Sequence, residues 1–337
     1  MKSRSQALIT GVYRTGTEYI THCVNSHPAL SATMYKVNVF RFALHRFDPV
    51  HEPKNYTAAV KEIAARMRTR YNDDIPVKAI LQALGHAPKV NYCVLYDAVM
   101  SALYVNESTP HWAEKNQLQW REIPLFLEGM PNGRAIMVVR DPRAVTASFR
   151  RFTYAQPPAY LGSVFNCLDA MQHARDYAER YPKSFMTIRY EDFMQAPKGV
   201  TRAVWRFLGL SDDHPLTPQK EWRDPYGDRW GGNSAFQKAN SPFDAAAALN
   251  RHSTLSRAEL DLTEAVCGEL MAHFNYEVES RKPDWDAVHA LIGGNPEITA
   301  LLETWQRRGT GIQAFPSDPR DPQNWRKRGK EVMHDPQ

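Results

Sequence analysis

Cysteine is scarce in this chain. Four residues in 337 (Cys23, Cys93, Cys167 and Cys267) stand far apart, with no C-x-x-C pair. That excludes a disulfide framework and a cysteine zinc site and fits reduced thiols in a cytoplasm. Long apolar runs are missing too. None approaches the roughly 18–20 residues of a membrane span, and the longest candidate, 92–105, is broken by Asp97. The opening MKSRSQALITG has an apolar stretch too short for a signal-peptide core. We therefore expect a cytoplasmic protein with no membrane span. Charge of one sign is in small excess: 42 Lys and Arg against 37 Asp and Glu, a net charge of +5. Such a balance suits an anionic ligand and does not argue for nucleic acid. Core material is plentiful. Hydrophobic residues make up 43% and charged residues 23%, which fits an ordered domain and not a disordered chain.

Hydrophobic patterning predicts strands at 7–13, 110–115, 133–139 and 184–190. It predicts helices at 17–26, 55–71 (with Asn55 as its cap), 91–105, 117–129, 142–152, 161–181, 197–208 and 256–274. Strands alternating with helices imply an α/β fold: a three-layer, doubly wound, mostly parallel sheet covered on both faces. We expect one domain over 1–280 with a helical insertion at about 36–107. Residues 281–337 read as a helical extension followed by a tail rich in Pro and charge.

The stretch LITGVYRTGTEYI (8–20) runs from a strand through two glycines into a helix. It has the outline of a phosphate-binding P-loop, G-x-x-x-x-G, from Gly11 to Gly16. The Lys that should follow the second Gly is replaced by Thr17, and the Mg²⁺-binding Ser/Thr by Glu18. Backbone N–H groups and a helix N-terminus can still cradle a phosphate. Arg14 is the cation inside the loop. The loop thus suits a phosphate compound handled without metal, and disfavours the usual phosphoryl transfer. A second strand end, AIMVVRDPRAVTASFRRF (135–152), carries Arg140 at its C-terminus, Pro142 in the first turn of a helix and Ser148 about two turns on. Arg140 and Ser148 are placed to grip a second phosphate on the same sheet edge.

Together these segments resemble the two signatures of sulfotransferases that use 3′-phosphoadenosine 5′-phosphosulfate (PAPS). Arg14, Thr15, Gly16 and Thr17 match the loop that binds the 5′-phosphosulfate; Arg140, Asp141, Pro142 and Ser148 match the motif that binds the 3′-phosphate. WAEKNQLQWREIP (112–124), IRYEDF (188–193), RWGGNSAF (229–236) and the helix 255–277 are similar to further family segments in the same order. The resemblance implies the P-loop nucleotide-hydrolase-like fold. It also implies transfer of a sulfuryl group from PAPS to a hydroxyl of an acceptor, with release of 3′,5′-bisphosphoadenosine (PAP).

Site residues follow from the resemblance. Thr15, Gly16, Thr17, Glu18 and Tyr19 with Arg14, then Arg140, Ser148, Tyr190, Asn233 and Ser234, are expected to bind the nucleotide. Tyr19 stands where the family has an adenine-stacking aromatic. Arg14 and Lys115 are expected to stabilise the leaving group, and no metal is expected. The base is not identified by the resemblance. The family's His falls on Gln117, and its alternative Glu falls near Tyr35 and Lys36. His45, His111 and Glu114 are candidates. On a strand His111 shares a face with Lys115 and Glu114 does not, so His111 is preferred. Arg150 and Arg151 either help fix phosphate or end the helix in solvent. The acceptor can be a carbohydrate, a lipid-linked sugar or a small natural-product alcohol, and the protein a monomer or a homodimer. Two other functions stay open: a P-loop nucleotide kinase or NTPase, and a non-catalytic PAP(S)-binding protein.

Overall fold

The computed structural model describes residues 4–150, 157–231, 254–279, 282–315 and 317–325. Five strands, β1 (Gln6–Gly11), β2 (Leu30–Met34), β3 (His111–Lys115), β4 (Gly133–Val139) and β5 (Phe185–Arg189), form one parallel sheet in the order β2-β3-β1-β4-β5. β1 is central and buried along its whole length. The alternation of side chains along the strands separates two cores. Leu8, Trp112, Ala135 and Met137 face one core, shared with helices Pro53–Tyr71, Tyr92–Tyr104, Gly162–Arg180 and Arg257–His273. Ala7, Ile9, Ala113, Ile136 and Val138 face the other, shared with helices Thr17–Val24, Tyr190–Gln195 and Pro197–Phe207. The result is the three-layer α/β arrangement that the patterning implied.

The order of the strands creates the site. From β1 the chain runs to β2 and β3 on one side, then crosses to β4 and β5 on the other. Loops leaving the C-terminal ends of β1, β3 and β4 meet where that order reverses, which is where open α/β sheets place ligands. In the register Lys115, the last residue of β3, pairs with Ile9, two residues before β1 ends at Gly11, and Gly11 pairs with Val138 near the end of β4.

Several boundaries differ from expectation. β2 was not anticipated: LSATM is short, with two polar residues, and lies at the sheet edge. The predicted helix 117–129 is confined to Ile123–Gly129. Leu118 takes φ 56°, and its N–H bonds the carbonyl of Gly11, so this stretch is a loop strapped over the end of β1. Asn55 does not cap its helix, which begins at Pro53; its side chain donates to the Pro49 carbonyl instead. Helix Val77–Gly85 joins the insertion between β2 and β3. Beyond 281, helices Trp285–Ile292 and Pro296–Arg308 contribute Val288, Ile292, Ile298 and Leu302 to the first core. The chain then runs over the surface, with Ile312 N–H bonded to the Phe165 carbonyl and Gln313 to that of Leu118. Among the described residues no helix is long and apolar enough to cross a membrane.

Candidate active site

The loop after β1 is shaped by its glycines. A Cβ on Gly11 would lie 2.7 Å from the Val138 carbonyl oxygen and 2.8 Å from Thr15 Oγ1. Gly16 has φ 81°, and a Cβ there would lie 2.2 Å from the Tyr190 ring. Only a residue without a side chain fits either place. Thr15 Oγ1 donates to the Val12 carbonyl at 2.8 Å and closes the turn. The helix Thr17–Val24 starts from Gly16 with no side-chain cap, so its first N–H groups remain for an anion at the loop.

The second motif docks onto this loop. Arg140, 3% exposed, donates from Nη1 to the Arg14 carbonyl at 2.8 Å. Its guanidinium lies 4.3 Å from the centre of the Tyr190 ring. Arg14 in turn donates from Nε to Ser148 Oγ at 3.1 Å. Tyr190, the first residue after β5, thus packs on Gly16 and Arg140 together, and the expected nucleotide residues converge. The acidic residues beside them serve the scaffold. Asp141 pairs with Arg143 at 2.8 Å, and Arg143 with Glu264 at 2.7 Å. Glu191 accepts from the Asp141 N–H at 3.1 Å and the Tyr276 hydroxyl at 2.8 Å. Arg150 is engaged by the buried Glu259 at 2.8 Å, which favours a structural role. Arg151, Asn233 and Ser234 lie outside the described residues.

Lys115 ends β3 beside the loop, 0% exposed. Its Nζ has no hydrogen-bond partner among the described residues and lies 3.8 Å from the centre of the Tyr35 ring. Burial pushes its pKa down to about 7; the Glu18 charge opposes that shift and the Arg14 charge adds to it. Tyr35, at φ 61°, donates its hydroxyl to Gln117 Oε1 at 3.0 Å. The Tyr35–Lys36 backbone is held by the buried Arg66, which donates to the Lys36 carbonyl at 2.6 Å. His22, one turn after Glu18, stacks on Trp222 at 4.7 Å and is pushed down to about 4 by burial and then by Lys115. Tyr19 packs edge-on to Phe193 at 5.0 Å and lies 5.3 Å from Trp222, which the sequence did not single out.

The base candidates need correction. His111 opens β3, so it lies at the N-terminal edge of the sheet, about 13 Å along the strand from Lys115. Its Nδ1 accepts the Ser5 N–H at 2.8 Å. Shared face did not mean shared end. Glu114 is fully buried and accepts from the N–H groups of Val37 (2.7 Å) and Asn38 (2.9 Å), from the Tyr96 hydroxyl and from Asn116. Burial raises its pKa against the pull of these donors. It is a clamp for the turn after β2. His45 is exposed and paired with Asp48 at 3.0 Å.

The model of a family described as "Sulfotransferase family" matches residues 7–214. The sulfotransferase domain of the Synechococcus PCC 7002 olefin synthase is 18% identical; the match covers 83% of this chain and 98% of that one, with a TM-score of 0.52. At that identity the likeness is one of fold. The sulfotransferase domain of the curacin biosynthetic pathway (17% identity, 83% and 100% covered, TM-score 0.47) and a sulfotransferase from Alicyclobacillus acidocaldarius (13%, 82% and 98%, 0.42) also align. No curated protein matches.

Proposed function

The chain belongs to the sulfotransferase family, and from that premise we propose that it moves the sulfuryl group of PAPS to an acceptor hydroxyl and releases PAP. One observation carries the choice of donor. Arg14, Arg140, Ser148 and Tyr190 join the loop and the second motif into a single site that holds two cations. Two phosphates on one nucleotide are what such a site fits. The donor supplies a sulfuryl group on a phosphate leaving group. The chain's own residues do the rest. Loop N–H groups from Thr15 to Thr17 hold the 5′-phosphate. Arg140 and Ser148 hold the 3′-phosphate and select against ATP-like nucleotides. Tyr190 braces the loop. Arg14 and Lys115 line the place where negative charge develops on the bridging oxygen. The helices between β2 and β3 lie on the acceptor side. They leave carbohydrate, lipid-linked and natural-product alcohols as classes to test.

PAP is expected to raise the melting temperature, by the mass action of a ligand that binds only the folded state. The shift should survive EDTA and greatly exceed that given by ADP. Equal shifts with the two nucleotides, or a shift lost with EDTA, would remove the two-phosphate reading and favour a metal-dependent nucleotide enzyme. Arg140→Ala is expected to raise KM for PAPS by the equivalent of about 1.5–3 kcal/mol, the worth of a charge-assisted contact. Its effect on kcat should be small, because a contact remote from the sulfur is the same in ground and transition states. Steady-state kinetics with varied PAPS checks this; an unchanged KM refutes the assignment.

A further inference from the structure

We propose that Lys115 is the general base: its Nζ, buried at the end of β3 beside the phosphate loop, accepts the proton of the acceptor hydroxyl. The inference rests on the sulfuryl-transfer reading above. An ammonium carries three donors and, away from water, requires acceptors for them. Lys115 Nζ has no hydrogen-bond partner among the described residues; its contact is the face of Tyr35 at 3.8 Å. The charged and titratable groups around it come from three elements. Arg14 belongs to the loop, Glu18 and His22 to the helix Thr17–Val24, and Tyr35 to the turn after β2. No carboxylate among the described residues forms an ion pair with it. Burial and Arg14 favour the neutral amine, Glu18 the ammonium, and the balance falls at about 7.

The other ionisable candidates are less suited. His111 lies at the opposite sheet edge and Glu114 is saturated by donors. His22 Nε2 also has no hydrogen-bond partner among the described residues, but burial pushes its pKa down to about 4, which makes it the weaker proton acceptor. Tyr35 and Gln117 are hydrogen-bonded to each other, and a Gln side chain takes up no proton at neutral pH. In the transfer step the acceptor O–H bond breaks and its proton goes to Nζ. The oxygen's electron pair forms the new O–S bond. The S–O bond to the 5′-phosphate breaks, and its pair stays on the departing PAP. The free-base fraction of Lys115 enters the step and leaves it as an ammonium, gaining charge as the bridging oxygen gains the opposite charge. That interaction is stronger in the transition state than in the ground state, as catalysis requires. The anionic donor strengthens the driving force for proton uptake.

The first test needs no acceptor. In protein carrying ¹³Cε-labelled lysine, one signal, absent from Lys115→Met, is expected to titrate near 7, and higher with PAP bound. A Lys115 signal that stays in the ammonium form to about pH 9, near an ordinary lysine, overturns the proposal. The second test uses labelled PAPS with unsubstituted phenol as probe, a hydroxyl that stays protonated at neutral pH and so needs a base, and counts sulfuryl leaving PAPS to the phenol or to water. Lys115→Ala should be slower by about 10²- to 10⁴-fold. Added primary amines should restore the rate in proportion to their free-base form. Tetramethylammonium, a cation that accepts no proton, should restore nothing, and Lys115→Arg should stay as slow as the alanine variant. Rescue by tetramethylammonium, or an active Lys115→Arg, would show that a charge and not a base is needed. Absence of PAP binding strikes the sulfotransferase reading; PAP binding with a permanently charged Lys115 strikes the base assignment alone.

Discussion

Arg14→Ala is expected to lower kcat for sulfuryl transfer by about 10²- to 10³-fold, the usual cost of removing one stabiliser of a developing oxyanion. Arg14 is the cation within the loop sequence from Gly11 to Thr17. Its side chain spans the site: Nε reaches Ser148 at 3.1 Å, while its charge is felt at Lys115. In the proposed site it is the loop cation nearest the second motif, and its charge also acts on Lys115. PAP affinity should change much less, because Arg140 and the loop N–H groups remain. Arg14→Lys should keep part of the activity by supplying the charge without the forked geometry. Single-turnover transfer from PAPS measures the step. Near wild-type turnover in Arg14→Ala, with PAP affinity intact, would mean that the leaving group is stabilised elsewhere.

Glu114→Ala is expected to destabilise the fold by about 3–5 kcal/mol, the range seen when one partner of a buried charged network is removed. The Val37 and Asn38 N–H groups and the Tyr96 hydroxyl lose their acceptor in a buried site, and the Asn116 amide keeps only the Tyr96 oxygen. A fall in melting temperature of about 4–7 °C is expected for a chain of this length. Glu114→Gln keeps one acceptor oxygen and should fall less, with turnover retained below its melting point. That comparison separates a clamp from a catalyst. A Glu114→Gln protein with wild-type stability and no transfer activity would restore Glu114 as a base.

The strands that build the site were legible because they are buried. GRAIMVV is seen in the structure as Gly133–Val139, since a central parallel strand must be apolar on both faces. LSATM escaped notice because an edge strand needs no such run. The P-loop outline and the Arg140–Ser148 spacing picked out two segments that the fold brings into contact, because backbone approach and strand-end cations leave local signatures. Which end of a strand meets the loop does not. Period-two alternation put His111 and Lys115 on one face, yet the parallel register sends His111 to the far edge. The Tyr35–Gln117 hydrogen bond joins residues 82 positions apart, and the Trp222–His22 stack joins the helix Thr17–Val24 to a distant loop residue. Neither has a local pattern; only the fold creates them.

Transfer itself is the most direct test of the central claim. PAPS labelled in its sulfuryl group, incubated with the protein in EDTA against a panel of phenols, sugars and aliphatic alcohols, should yield a labelled organic sulfate and an equal amount of PAP. Bound PAPS that stays intact with every acceptor would instead mark a PAPS-binding protein without catalysis. Product that forms only with Mg²⁺ and ATP would mark a phosphoryl-transfer enzyme and contradict the account.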